Sequence, residues 1–184
     1  MAFSPEVQLL KEVAEYPAIT HLRNSSNIKE MREVLKIATQ GHADNLTATT
    51  LATQNTLPVP PFVFVDDSRG SLHAFYYLGS GLAGHRGFLH GGMFAVLLDE
   101  CMGRASFALL PNHIGMTVSL DIKYLAPIKL PGIAMIKAVT EKVEGRKAWV
   151  DATIESPGGT VVHAQARALF IEPRGAAESM EQMI

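Results

Sequence analysis

One antiparallel sheet wrapped on a single long helix, an α+β architecture, is the fold class this sequence predicts, and three observations predict it. Two short β-type runs precede one long apolar segment, Gly91 to Leu110, and four more β-type runs follow it. The runs are separated by turns of a few residues, which pair neighbouring strands antiparallel because parallel pairing needs a longer crossover. The long segment is apolar nearly all round, so it belongs inside the curl of the sheet.

Taken in order, residues 5–17 set Val7, Leu9, Leu10, Val13 and Ala14 near helical spacing, with Ser4 as N-cap and Pro5 in the first turn. Asn27 to Thr39 repeats the pattern with Ile28, Met31, Val34, Leu35 and Ile37 among Lys29, Glu30, Arg32, Glu33 and Lys36. Asn27 followed by Glu30 resembles a capping box, so a second amphipathic helix is expected. From Gly41 to Pro60 the composition shifts to Thr, Ala, Asn and Gln and ends in Pro58-Val59-Pro60-Pro61, an extended connector. The domain boundary falls there: residues 1–60 form an N-terminal helical extension and connector, 61–173 the main domain, and 174–184 a polar C-terminal tail.

Phe62–Val65 and Leu72–Leu78 are β-branched and aromatic runs about the turn Asp66-Asp67-Ser68-Arg69-Gly70, and they predict a hairpin. The helix from Gly91 is closed by Pro111. Thr117 to Leu125 then alternates Val118, Leu120, Ile122 and Tyr124 against Thr117, Ser119, Asp121 and Lys123, the pattern of a half-buried strand. Three more strands follow at Ile133–Val143, Lys147–Ile154 and Val161–Ile171.

Composition excludes several classes of function. The 184 residues, 47% hydrophobic and 18% charged, fit one domain with an extension. A net charge of -2 and no basic block give no footprint for nucleic acid or a membrane surface. The apolar run Gly91–Leu98 is far shorter than the roughly 20 residues of a membrane span. The single cysteine, Cys101, cannot form an intrachain disulfide, which suits a reducing compartment. The first residues lack a basic and apolar leader, and Glu6, Glu12 and Glu15 count against a transit peptide, so a cytoplasmic protein is expected.

Gly79-Ser80-Gly81-Leu82-Ala83-Gly84 spells a dinucleotide fingerprint, but a second glycine-rich turn follows where a helix is required. His85, His90, Asp99 and Glu100 match no metal-binding spacing, so neither metal nor cofactor is expected. The adjacent acids differ by helix geometry. Glu100 has Arg104 at i+4, the favourable order for an ordinary ion pair. Asp99 has Ala95, Val96, Met102 and Gly103 on its face, with no cation. A carboxylate there is costly without a partner or a task, and burial of that kind suits a general base, although a nucleophile is chemically open. His90-Gly91-Gly92 opens the helix with unshielded N–H groups at its positive end, where a carbonyl oxygen or oxyanion can be held.

His90-Gly91-Gly92 with Asp99 nine residues after the histidine resembles the hotdog-fold thioesterases of the phenylacetate-pathway (PaaI) and acyl-CoA thioesterase type. The likeness runs from about Phe62 to Ile171 and includes Gly115-Met116-Thr117 and Tyr124-Leu125-Ala126-Pro127. It implies a hotdog fold and hydrolysis of an acyl thioester of coenzyme A or an acyl carrier protein. Asp99 would be base or nucleophile, the Gly92 N–H would polarise the carbonyl, and His90 would shape the turn. Thr117 would position water or the acyl group, acting across a subunit boundary. Sites in this family form between paired subunits, which implies a homodimer or homotetramer. Gly91 belongs to the substrate-binding turn. The sequence departs from the family at Gly84, where some members carry asparagine, and His85 or Arg86 would substitute. Two other readings stand beside this one. Hotdog dehydratases place a histidine about fourteen residues before their helical acid, as His85 stands to Asp99, but their His-Phe-Pro segment is missing. A non-catalytic acyl-binding hotdog domain is the other.

Overall fold

The structure, a computed structural model, describes residues 3–35 and 45–176. Helix α1 (Pro5–Glu15) starts as expected, with the Ser4 hydroxyl accepting from the Val7 N–H, and the short helix α2 (Ile19–Asn24) follows. Strand β1 (Ile28–Met31) leads to a π-helical turn at Leu46–Thr50, whose first N–H groups donate to the Asn45 side chain. Then come β2 (Phe62–Asp66) and β3 (Ser71–Leu78), the expected hairpin. A 3-10 turn at Ser80–Leu82 leads to the small hairpin of β4 (Ala83–His85) and β5 (Phe88–Leu89). The long helix α3 (Gly91–Phe107) precedes β6 (Met116–Tyr124), β7 (Gly132–Glu144), β8 (Lys147–Glu155) and β9 (Val162–Ile171).

Seven strands make one antiparallel sheet in the order β1-β2-β3-β7-β8-β9-β6. The sheet curls around α3, and small residues let it close. Ala138, Ala152 and Ala166 stand in register across β7, β8 and β9, all buried on the face that carries the core. Leu97, Leu98, Cys101 and Met102 fill this space from the helix, none of them exposed. Each such side chain contributes about 2 kcal/mol by leaving water, so this interface carries much of the stability. The opposite face of the sheet is covered at one end by α1. Leu9, Val13 and Tyr16 pack there on Phe64, Phe75, Tyr77 and Met135, a second core cluster.

Two expectations about local structure are corrected. The described part of the segment from Asn27 to Thr39 holds a strand rather than a helix, with Ile28 opposite Asp66 and Met31 opposite Val63. Its residues from 36 onward, like 41–44 of the connector and 177–184 of the tail, lie outside the described residues. The open edge of β2 needs backbone partners, and satisfying that row of hydrogen bonds outweighs a modest helical periodicity. Glu30, read as half of a capping box, instead takes a two-pronged ion pair from Arg23 at 2.9 and 3.0 Å. The dinucleotide-like glycines lie in the 3-10 turn and β4, with no helix directly after them.

Candidate functional site

The site grows from the first turn of α3. His90 is the N-cap, in an extended conformation, and its Nδ1 accepts the Gly92 N–H at 2.9 Å. That bond requires a lone pair on Nδ1, so the ring proton sits on Nε2. The turn is held by the His90 N–H on the Leu82 carbonyl and the Leu89 N–H on the Ile128 carbonyl, each at 2.9 Å. Gly84 must be small because a Cβ there would meet the His90 ring at 2.8 Å. A side chain at position 84 therefore has no room beside the His90 ring.

Gly92 therefore spends its N–H on His90. The Gly91 N–H has no hydrogen-bond partner among the described residues, and Gly91 is exposed at the positive end of the helix. Its carbonyl accepts from the Tyr124 hydroxyl at 3.1 Å, and the Tyr124 ring meets Phe94 edge-on, 5.3 Å between centroids. Tyr124 belongs to the Tyr-x-x-Pro segment of the sequence, but nothing in the alternation of β6 marks its contact with the helix start.

Two turns further on, Asp99 accepts a hydrogen bond from the Thr117 hydroxyl at 2.7 Å. The structure thus brings these two residues together within one chain. At 1.5 Å per residue, Gly91 and Asp99 are about 12 Å apart along the axis. His85 and Arg86 lie exposed on the β4–β5 hairpin, and no hydrogen bond joins them to this site among the described residues.

The expected Glu100–Arg104 pair is corrected. Arg104 binds Asp67, in the turn between β2 and β3, at 2.8 Å, where Lys29 also reaches the same carboxylate at 2.9 Å. Glu100 faces the N-terminal extension and accepts the Thr47 hydroxyl at 2.6 Å through Oε1, while Oε2 is buried with no partner among the described residues. Burial pushes its pKa up against the Thr47 bond, and the neighbouring Asp99 charge adds to the rise. Thr47 sits in the featureless Thr/Ala stretch, where no sequence signal distinguishes it. Met93, Phe94 and Met102 are core residues.

The comparisons with known proteins agree with this fold. Residues 86–163 match the family model described as the thioesterase superfamily. A protein of Schizosaccharomyces pombe is 31% identical over 172 residues, 92% of this chain and 89% of that one. The acyl-coenzyme A thioesterase THEM4 of Rattus norvegicus is 34% identical over 110 residues, 60% of this chain but only 46% of its own length. Among solved structures, a thioesterase superfamily protein superposes with a TM-score of 0.54 at 27% identity, covering 61% of this chain and 54% of that chain. A Streptococcus pneumoniae protein solved with coenzyme A gives 0.51 at 22% identity, covering 56% and 78%, a likeness of fold alone.

The expectation of a cytoplasmic protein is overturned by two relatives that point to mitochondria. One is a Candida albicans protein named as mitochondrial, 25% identical over 90% of this chain and 77% of its own. The other is MIOREX complex component 3 of Saccharomyces cerevisiae, 32% identical over 54% of this chain and 37% of its own. The acids Glu6, Glu12 and Glu15 belong to α1, which packs on the sheet, so they report on that helix and not on targeting. With a helix cradled in one antiparallel sheet, His90-Gly91-Gly92 at its start and Asp99 two turns on, this chain belongs to the thioesterase superfamily and has its hotdog fold.

Proposed function

We propose that the chain hydrolyses acyl thioesters of coenzyme A, with Asp99 as general base and the start of α3 holding the carbonyl oxygen. The observation that carries this reading is the bond from Thr117 to Asp99 Oδ1. It fixes the carboxylate while leaving Oδ2 to take a proton from water. That water adds to the thioester carbon, the carbonyl oxygen gains the electron pair, and collapse expels the thiolate, which is reprotonated to leave acid and thiol. The Gly91 N–H suits the developing oxyanion better than Gly92, whose N–H is engaged by His90. Coenzyme A as carrier is supported by the activity named for THEM4.

One subunit alone is insufficient, because reacting atoms must approach within about 3.5 Å and a 12 Å gap along α3 separates Gly91 from Asp99. A dimer closes that gap. β6 is an edge strand whose Met116, Val118 and Tyr124 are 60%, 57% and 54% exposed, a surface that invites strand pairing. Thr117, near one end of β6, holds Asp99, and Tyr124, at the other end, holds Gly91. Two-fold antiparallel pairing of β6 with its copy exchanges the ends, so Gly91 of one subunit comes beside Asp99 of the other.

The test is thiol release from a panel of acyl-CoAs by the purified protein. Asp99→Ala is expected to abolish release with its thermal unfolding unchanged, and undiminished release would sink the assignment. A single turnover in heavy-oxygen water that labels Asp99 would make it the nucleophile instead.

A further inference from the structure

The corner of the molecule around the start of α3 carries positive charge that no neighbouring segment answers. Residues 68–98 and 122–140 contain no aspartate or glutamate. Neither does the stretch 45–61, whose Asn55 and Thr56 carbonyls accept from Gly81 and Gly79. Arg86, at the tip of the β4–β5 hairpin, and Lys129, in the loop from β6 to β7, are exposed and make no ion pair among the described residues. Elsewhere Lys29, Arg32, Arg104 and Arg167 each hold a carboxylate. The positive end of α3 adds to the same field.

Backbone pairing gives these groups an order. His85 stands opposite Phe88 in the hairpin, and Phe88 stands opposite Lys129 in an antiparallel bridge. Residues directly opposite one another project from the same side, so His85, Phe88 and Lys129 form one cross-strand row. Leu89, the next residue, is buried, whereas Phe88 is 38% exposed, so the row faces solvent. It is held beside the helix start by the Leu89 N–H on the Ile128 carbonyl and the Leu130 N–H on the Gly87 carbonyl, each at 2.9 Å. An open aromatic face flanked by basic groups suits a purine that carries phosphates, because the ring stacks while the cations bond the phosphate oxygens.

We propose that this row, with Arg86 at its end, binds the 3′-phosphorylated ADP portion of coenzyme A, with the adenine on Phe88 and the phosphates on Arg86 and Lys129. The inference rests on the thioesterase reading above and names the part of the carrier that the chain grips. Phe88 stands three residues before Gly91, so at most about 11 Å separates their backbones. The pantetheine arm, with its two amides, is as long as about four extended residues, ~14 Å. A thioester whose carbonyl lies on the Gly91 N–H therefore sets its phosphates at the hairpin. His90 and Gly91, between the two places, are exposed and leave that path open.

The experiment measures kcat/KM for octanoyl-CoA and octanoyl-pantetheine in the full chain and in Arg86→Gln, Lys129→Gln, Phe88→Leu and Phe88→Tyr. Wild type is expected to favour octanoyl-CoA about 100-fold, the combined value of phosphate contacts and one stacked base. Arg86→Gln and Lys129→Gln each lower that ratio about 10-fold, the worth of one charge-assisted contact. Phe88→Leu lowers it by about 10-fold as well, while Phe88→Tyr keeps the stacking face and the ratio. A damaged fold slows both substrates together, so the ratio isolates the nucleotide. Calorimetry with coenzyme A reads the same site without turnover, and the Arg86→Gln, Lys129→Gln double variant is expected to bind at least 10-fold more weakly than wild type. Hydrolysis that depends on Asp99 but shows a wild-type ratio near 1, or a ratio unmoved by Arg86→Gln and Lys129→Gln, overturns the nucleotide site alone. An absence of hydrolysis overturns the thioesterase reading, and the nucleotide site then falls if coenzyme A binds wild type and the double variant equally.

Discussion

Proline at position 91 isolates the backbone donor on which the proposed chemistry depends. Gly91 is the first residue of α3, the one helical position where proline fits, because that N–H has no intrahelical acceptor. His90 precedes it at φ -62 and ψ 134, the extended conformation a residue before proline adopts. Side-chain atoms at 91 meet only Tyr124, at 3.9 Å from a Cβ, an ordinary contact. Gly91→Pro thus removes one hydrogen bond to an oxyanion and nothing else that the structure uses. Deleting a donor of this kind costs about 3–4 kcal/mol in the transition state, a fall in kcat of about 100- to 1000-fold. Gly91→Ala keeps the N–H and is expected to stay within a few-fold of wild type. Thiol release read alongside thermal unfolding decides the matter. A folded Gly91→Pro protein that retains a third or more of the wild-type kcat would refute the assignment of the carbonyl to this N–H.

Three further outcomes follow from other parts of the molecule. His73 is held between Tyr16 of α1 and the Lys137–Glu155 pair, and burial, with Lys137 adding to it, lowers its pKa from 6.5 to about 4. The folded protein thus favours neutral imidazole while the unfolded chain binds a proton below pH 6.5, so this group's contribution is complete above that pH and is lost as pH falls toward 4. Between pH 7.5 and 4.5 wild type should lose about 2.5 kcal/mol more than His73→Phe in denaturant titrations, and parallel losses would contradict the buried neutral state. Val118→Lys places a charge at an exposed point of the β6 edge, and sedimentation should show a monomer whose thiol release is down at least 100-fold; a fully active monomer would dispose of the shared site. Glu100→Gln relieves the burial that raises this carboxyl, so it should raise the unfolding midpoint at pH 8 more than at pH 5, whereas equal shifts at the two pH values would count against a buried ionised Glu100.

Much of this was legible in the chain because local chemistry and tertiary environment agree there. The apolar run from Gly91 becomes a helix since the sheet closes around it, and the alternation from Thr117 survives as β6. The β2–β3 hairpin forms where its turn residues stand. The segment after Asn27 was opaque for the opposite reason. Its periodicity favours a helix, but the open edge of β2, more than thirty residues away, recruits Ile28–Met31 as a strand. In the first turn of α3, the His90-Gly91-Gly92 pattern marks the glycine-rich start of the helix. Which glycine has a free N–H is set by the rotamer of His90, which no spacing encodes.

The neighbouring acids show how partners supplied from elsewhere divide identical chemistry. A step of one residue turns the side chain about 100° around α3, enough to point Asp99 toward β6 and Glu100 toward the extension. The i+4 rule correctly placed Arg104 near Glu100, but Asp67 at the β2–β3 turn offers that guanidinium an acceptor already drawing on Lys29. Arg104 therefore leaves Glu100 to Thr47, and the acid becomes the wall of a cavity that the extension encloses. Asp99 is held by Thr117 beside the exposed strand edge, where the proposed pairing with a second copy would bring in the open N–H of that copy's helix. The roles open to the two carboxylates thus depend on which neighbour each side chain faces, β6 or the extension, and a one-residue shift of α3 that carried Glu100 to the place of Asp99 would leave Cys101, not Asp99, in the place of Glu100.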